Sequence, residues 1–404
     1  MNSNMILPGL EEFIIRKTEM MGGFYHIHVE CERKSHCCPS CHSYTNKVHD
    51  YRLQRVQNVK FGEYSSIVFY RKRRYVCACG KRFYEKNSLV ERYQRHSIAW
   101  NRAVRIRAIR GKTFKETAQQ YGTSSSTVMR RFDRMAKEEI KEVTELPPVI
   151  AIDEYKGDTD KGKFQLIIAD GETRKPLDIL PNRSLKTIKN YLREKGAKVQ
   201  VVIMDMSHAF KSAVQQALGK PIIVADRFHF CRYVYWALDR VRRRVQLDFH
   251  PYDRKKCKRV RHIFFKPPTK LNEEQKWMLE RYLNLSDELK RAYQLKEEYR
   301  LWFEQAKEIG KDDITLVKRN LLDFYKRIEE EGIEELLQTK KTFMNWQTEI
   351  LNSFVFDYSN GFLEGINNLT KVMKRNAFGY RRFDRFRSKV LMHHQFKDIG
   401  THVG

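Results

Sequence analysis

The stretch VVIMDMSHAF, Val201–Phe210, decides how this chain is read. Its first four residues, Val201 to Met204, are apolar and largely β-branched, as in a short buried strand, and Asp205 follows where that strand should end. The same grammar occurs upstream in PPVIAIDEYKG, where Val149 to Ile152 run straight into Asp153. A carboxylate beside an apolar core is costly unless something pairs with it. With the two strands adjacent, both side chains project from neighbouring strand ends, and they cannot both stay ionised cheaply without a cation between them. Mg²⁺ suits that place, because it takes carboxylate oxygens together with phosphate oxygens.

The surrounding pattern supplies the sheet. VIAIDEY, KFQLIIAD and PLDIL predict antiparallel strands. A helix from about Ser184 to Lys195 comes next, then the strand VQVVIMD, a helix from about Ser207, and the strand PIIVAD leading into another helix. The result is a mixed α/β sheet, three strands followed by αβαβα. ELPPV, Glu145–Val149, marks a linker before it. Beyond about residue 250 the strand pattern gives way to charged amphipathic helices. A last helix begins near Ser359 in YSNGFLEGINNLTKVMKRNAFGY. Glu364 is the acid on this otherwise basic helix, with Lys371 and Arg375 on its face. That arrangement reads as a third metal ligand flanked by phosphate contacts. Glu154, Asp158, Asp160 and Asp170 read as loop or surface carboxylates.

Charge narrows the partner. The chain has 404 residues, and its 78 Lys and Arg against 50 Asp and Glu leave a net charge of +28. Such a surplus favours a polyanion, nucleic acid or an anionic membrane. No run of 18 apolar residues occurs, and the opening MNSNMILPGLEEF lacks the order of a signal peptide, so nucleic acid leads and no membrane partner is expected. A cytoplasmic, nucleoid-associated protein is the expectation. Eight cysteines then suggest thiols or metal ligands in place of a disulfide framework.

Two N-terminal modules carry the DNA-reading signals. Cys38 and Cys41 in CPSC, with Cys77 and Cys79 in VCACGKRF, suit a tetrahedral thiolate zinc site, and Cys31, Cys37, His36 and His42 stand nearby as substitute ligands. Four sulfurs leave no open position, so this zinc is structural. In TFKETAQQYGTSSSTVMRRF, Thr113–Phe132, the spacing of Ala118, Gly122 and Val128 fits a helix-turn-helix. Thr123 or Ser124 caps its second helix. Ser125, Ser126, Thr127 and Arg130 then face a DNA groove. Basic stretches available to the phosphate backbone are Arg71, Lys72, Arg73 and Arg74 (RKRR), Arg240 to Arg261, and Lys371 to Lys389, which includes Lys374 and Arg375.

Together, CPSC…CACGKRF, the helix-turn-helix, IDEY, VVIMDMSHAF, VADRFHF and SNGFLEGINNLTKVMKRNAFG resemble bacterial insertion-sequence transposases of the DDE type, the ISL3 class, over nearly the whole chain. The resemblance implies an RNase H-like core interrupted by a helical insertion. It implies a catalytic triad of Asp153, Asp205 and Glu364 holding two Mg²⁺, for which Mn²⁺ can substitute, and it places Asp226 and His229 of DRFH close to that site as an Asp-x-x-His motif. One departure is the single residue between Cys77 and Cys79, where family members are usually wider spaced. The expected organisation is a zinc-finger domain over 1–95, a helix-turn-helix domain over 96–146, the first part of the core over 147–249, the insertion over 250–357, and the final core helix with a basic tail over 358–404. The implied partners are double-stranded DNA, as terminal inverted repeats and target, and further copies of the chain in a homodimer or larger synaptic complex. The implied function is Mg-dependent strand cleavage and transfer. A non-enzymatic DNA-binding regulator, or an RNase H-like nuclease or resolvase, would use parts of the same sequence.

Overall fold

The computed structural model describes residue 7 and residues 9–396; the outermost parts of the expected 1–95 domain and of the basic tail lie outside the described residues. Two compact units are present. The first comprises residues 1–141, 376–378 and 388–404, and the second comprises 142–375 and 379–387.

The first unit starts with β1 (Phe13–Met21), β2 (Phe24–Cys31), the short pair β3 (His36–Cys37) and β4 (Tyr44–Thr45), then β5 (Val48–Phe61), β6 (Tyr64–Val76) and β7 (Arg82–Tyr84). Sheet order is β1-β2-β6-β5, with β7 added on β6. Ile27, Val29, Val56, Val68 and Tyr70 form its apolar core. Arg73 on β6 points inward, and this overturns one sequence expectation. Arg73 of RKRR is buried, with its guanidinium on Glu30 (3.2 Å) and Glu85 (3.5 Å), so it is a structural residue and offers nothing to DNA.

Three helices follow in the same unit: α1 (Ile98–Arg110), α2 (Phe114–Gln120) and α3 (Ser125–Glu139). Ser97, Thr113 and Ser124 cap them, each side chain accepting from the backbone N–H three residues on. Ala118 and Val128 are buried where α2 crosses α3, and Gly122 takes a left-handed φ of 59° in the turn. A side chain there would be strained, which is why the turn carries glycine. Trp100, Val104, Ala108 and Phe132 share this core with Met392 from near the chain's end. Buried Lys389 donates to the carbonyls of Ala108 and Gly111, where α1 stops. Ser124→Ala should cost about 1 kcal/mol by leaving an N–H of α3 unsatisfied. A urea melt of the whole chain, followed by Trp100 fluorescence, measures that loss.

The second unit contains β8 (Val149–Thr159), β9 (Gly162–Asp170), β10 (Pro176–Leu180), α4 (Leu185–Lys195), β11 (Val201–Met204), α5 (His208–Leu218), β12 (Ile222–Ala225) and α6 (Arg227–Val245). Strand order is β10-β9-β8-β11-β12. The first three strands are antiparallel, while β11 runs parallel to both β8 and β12. This is the expected RNase H-like mixed sheet. Residues 149–152 and 201–204 are buried, as continuous apolar strands in a covered parallel pair should be. The difference from expectation lies in β8, which does not stop at Asp153. It continues to Thr159 because Tyr155 and Gly157 are also inward and extend the hairpin with β9.

After α6 come α7 (Pro251–Arg259), α8 (Glu273–Asn284), α9 (Asp287–Ile309), α10 (Ile314–Glu331), α11 (Glu334–Asn345) and α12 (Gln347–Val355), with no strand among them. They pack on α6 through an aromatic cluster in which Phe230 meets Phe303, Phe343 and Phe354. The chain then returns to the sheet with α13 (Gly361–Asn376) and α14 (Phe383–Gln395).

Candidate active site

The site forms where β11 ends. Met204 pairs with Ile152, so Asp205 and Asp153 come next, side by side, at the carboxyl end of the parallel pair. Burial pushes the Asp153 carboxyl up, and the adjacent Asp205 charge adds to this, bringing it to about 7. Two groups hold its carboxylate in place: the Glu154 backbone N–H donates to Oδ1 (2.7 Å) and Asn367 Nδ2 to Oδ2 (2.6 Å).

On the other side of Asp205, β12 delivers Asp226 and the first turn of α6 delivers His229. The ligand atoms of Asp205, Asp226 and His229 all lie within 4.8 Å of one another. His229 Nδ1 is 2.7 Å from Asp226 Oδ2 and 2.8 Å from Asp205 Oδ1. Only the Asp226 contact has hydrogen-bond geometry, which leaves Asp205 Oδ1 buried with no hydrogen-bond partner. Burial by itself would lower the His229 imidazole. The close contacts and charges of the two aspartates outweigh it and push it up to about 10, so the ring is cationic at neutral pH. Three carboxylates, Asp153, Asp205 and Asp226, gather around a single imidazole, so the protein alone offsets their charge incompletely. The arrangement fits a hard divalent cation, which takes such oxygens as ligands.

Glu364 is placed differently. It lies in the first turn of α13, exposed, one turn before Asn367 on the same face, and outside the group of converging ligand atoms. On the same helix Lys371 and Arg375 are exposed, whereas Lys374 is tied to Asp158 (2.7 Å). The competing carboxylates have other partners: Glu154 pairs with Arg183, Asp160 accepts the Phe383 N–H (2.9 Å), and Asp170 caps its own turn.

Sequence reading missed Asn367. The available signal was a polar amide among the buried positions of α13, namely Leu363, Ile366, Asn367, Thr370 and Met373. Asn367→Ala should weaken divalent metal binding about tenfold or more, as loss of a group orienting a ligand does. Titration of melting temperature with Mn²⁺ measures the change.

In the first unit, the Cys38 and Cys79 sulfurs are 3.7 Å apart and the Cys41 and Cys77 sulfurs 3.4 Å, and all four lie within 4.8 Å of one another. A tetrahedral site with Zn–S bonds of about 2.3 Å has edges of about 3.8 Å. The other thiols point elsewhere, Cys37 to the His42 carbonyl (3.3 Å) and Cys31 to the Tyr70 hydroxyl (3.3 Å), while His36 packs on Tyr75. The unequal spacing has a simple basis. In each knuckle the residue after the second cysteine is left-handed, and its N–H returns to the carbonyl of the first. His42 (φ 59°) does so to Cys38 at 3.0 Å and Gly80 (φ 81°) to Cys77 at 2.9 Å. Backbone N–H groups at Ser43, with the neighbouring thiols, hold Cys41 down to about 6, which favours the metal-binding thiolate.

On α3, Ser126 and Arg130 are exposed and Ser125 and Thr127 half-buried, the latter at the cap of Ser124. Arg102, Arg105, Arg130, Arg131 and Arg134 line a 440 Å³ cleft between α1 and α3. In RKRR, Arg71 lies over the Tyr51 ring (4.0 Å), Lys72 over Tyr84 (4.9 Å), and Arg74 reaches Asp50 (3.4 Å). No helix among the described residues is long and apolar enough to cross a membrane.

Residues 150–390 match the profile of a DDE family described as transposase, of the ISL3 class. The chain belongs to the ISL3 family of transposases. Residues 85–136 match the helix-turn-helix domain of transposase family ISL3, and residues 34–80 match the zinc-finger of transposases IS204, IS1001, IS1096 and IS1165. The transposase for insertion sequence element IS1001 of Bordetella parapertussis is 25% identical over 375 residues, 90% of each chain. An ATP-dependent protease of Lactococcus lactis subsp. lactis is 41% identical over 64 residues, 16% of this chain and 20% of that protein. As an ISL3 transposase, the chain carries a DNA-binding helix-turn-helix, a zinc ribbon whose four-cysteine group suits a structural ion, and a DDE domain.

Proposed function

We propose that this transposase binds the terminal inverted repeats of its own insertion sequence and carries out metal-dependent strand cleavage and strand transfer, with Asp153, Asp205 and Glu364 as the metal-holding triad. The observation that carries this reading is the placement of Asp205 beside Asp153 at adjacent strand ends, which helps push the Asp153 carboxyl up to about 7. Bound divalent ions, Mg²⁺ or Mn²⁺, would make a water or DNA 3′-hydroxyl nucleophilic and offset charge on the leaving oxygen. The protein's own groups do the positioning. Asn367 fixes the Asp153 carboxylate, while cationic His229, clamped by Asp226, orients Asp205. Exposed Lys371 and Arg375, on the helix of Glu364, meet the phosphate backbone, and Ser125, Ser126, Thr127 and Arg130 meet the groove. Two element ends must meet for joining, so a homodimer or larger synaptic complex acts, on double-stranded DNA in the nucleoid.

The domain division that goes with this reading is a zinc-finger domain to about residue 95, the helix-turn-helix to 146, and a core split by the 250–357 insertion. The deciding experiment uses labelled duplex carrying the inverted repeats that flank the gene, and zinc-loaded protein with Mg²⁺ or with no added divalent metal. New 3′-ends at the repeat boundary and joined products, both lost without Mg²⁺, are expected. Binding without cleavage under any divalent metal would overturn the enzymatic reading in favour of a regulator. Cleavage indifferent to the repeats would favour a nuclease.

A further inference from the structure

The helical insertion carries a surface that the triad does not use. Between Arg254 and Asn272 the sequence has eight Lys or Arg and no Asp or Glu. Several cations on the neighbouring helices are paired with acids. Arg244 bridges Glu288 and Glu335, Arg281 holds Asp253, and Arg291 holds Glu331. The 254–261 cations have no such partner among the described residues. They line two adjoining clefts. One, of 750 Å³, is formed with Arg243, Arg254, Lys255, Lys258 and Arg261. The other, of 610 Å³, shares Lys255, Lys258 and Arg261 and adds Arg259 and His262. No acidic side chain lines either cleft.

This is not a loose basic tail. Cys257, Ile263 and Phe264 on the same segment are fully buried and anchor α7 and the turn after it, while the cations beside them are exposed. Unpaired like charges held together on a rigid frame repel one another, and an anionic ligand relieves the repulsion. Apart from Gln246 and the ring of His262, the lining offers little to read a base edge, so the surface suits phosphates and not sequence. It also lies away from the reacting centre. α6 starts beside Asp226 and its 19 residues end at Val245, near Arg243 and Gln246 of the first cleft. A helix of that length spans about 27 Å.

We infer that this basic trough binds the phosphate backbone of duplex DNA without regard to sequence, at a place distinct from the scissile phosphate. The inference deepens the proposed function, since DNA is the substrate there. Its test is binding of the full-length triple variant Lys255→Gln, Lys258→Gln, Arg261→Gln to a duplex lacking the inverted repeats, by fluorescence anisotropy over a range of NaCl. Each phosphate contact contributes about 0.9 to the slope of log K against log salt, so the slope should fall by about 2 to 3 and affinity by tenfold or more. Preference for repeat-bearing over repeat-free DNA should not fall. The control variant Lys307→Gln, Lys326→Gln, Arg327→Gln removes the same charge from residues already paired with acids. An unchanged slope in the trough variant, or an equal change in the control, overturns the inference. Because the readout is binding, an inactive wild-type chain would count against the strand-transfer reading alone. A cleaving chain with an unchanged slope would count against the trough alone.

Discussion

Asp205→Asn will abolish strand cleavage while leaving the binding of repeat-bearing DNA intact. The substitution keeps the side chain's size but removes the charge that a cation needs and the partner that holds His229 at 2.8 Å. A loss of at least about a thousandfold is expected, which is about 4 kcal/mol of transition-state stabilisation. The pH dependence of stability should change as well. In metal-free protein Asp205 is one cause of the raised Asp153 carboxyl. A folded value of about 7 lies above the ordinary carboxylate value of about 3.9, so between those limits the folded state holds a proton that the unfolded state releases. That stability is present at low pH and is lost as pH rises through 7. Wild-type chain with its zinc retained and no added Mg²⁺ or Mn²⁺ should therefore melt lower at pH 8 than at pH 6. Asp205→Asn should lose the part of that difference that the Asp205 charge adds to the effect of burial. Joint measurement of cleavage, binding and melting separates this outcome from simple misfolding. Full cleavage activity in the variant would remove Asp205 from the chemistry.

Stripping the zinc will cost the chain its recognition of DNA ends. Structural zinc sites in small modules are worth about 10–16 kcal/mol at neutral pH. Here an ion held by the four sulfurs would join two loops that otherwise meet through β5–β6 pairing and through bonds of Val76 with Lys47 and Thr45. Cys77→Ser, or chelation, should lower affinity for repeat-bearing duplex more than a hundredfold, and zinc should restore it after chelation but not in the variant. Cys37→Ser and Cys31→Ser should keep one zinc per chain, because their sulfurs face a carbonyl and a hydroxyl. Zinc content by atomic absorption alongside gel-shift affinity checks both halves. Wild-type affinity after complete zinc loss would mean the ribbon has no part in recognition.

The strands themselves were legible in the sequence because runs such as Val201–Met204 are continuous apolar stretches, whereas the adjacency of β8 and β11 was a supposition that the structure bears out. The side-by-side aspartates followed from that adjacency. Where β8 ends was not legible, since Asp153 reads as punctuation while the inward residues beyond it, Tyr155 and Gly157, are an aromatic and a glycine with ambiguous patterns. Asn367 was hidden for a different reason. Its partner Asp153 lies 214 positions away in sequence, and no local spacing connects them. Arg73 shows the limit of reading charge as surface, because one cation of a run of four turns inward where buried carboxylates, Glu30 and Glu85, meet it.

Residues near the end of the chain close both units. Met392 and Lys389 complete the packing around α1, and Asn367 reaches back to Asp153. During synthesis, strand β8 must wait for those 214 positions, about 10–40 s at bacterial-like elongation rates, before its carboxylate gains that support. A nascent or prematurely terminated polypeptide therefore lacks a finished helix-turn-helix core and a finished carboxylate centre at once. The DNA-reading unit and the carboxylate centre are thereby completed by the same late-made stretch of chain.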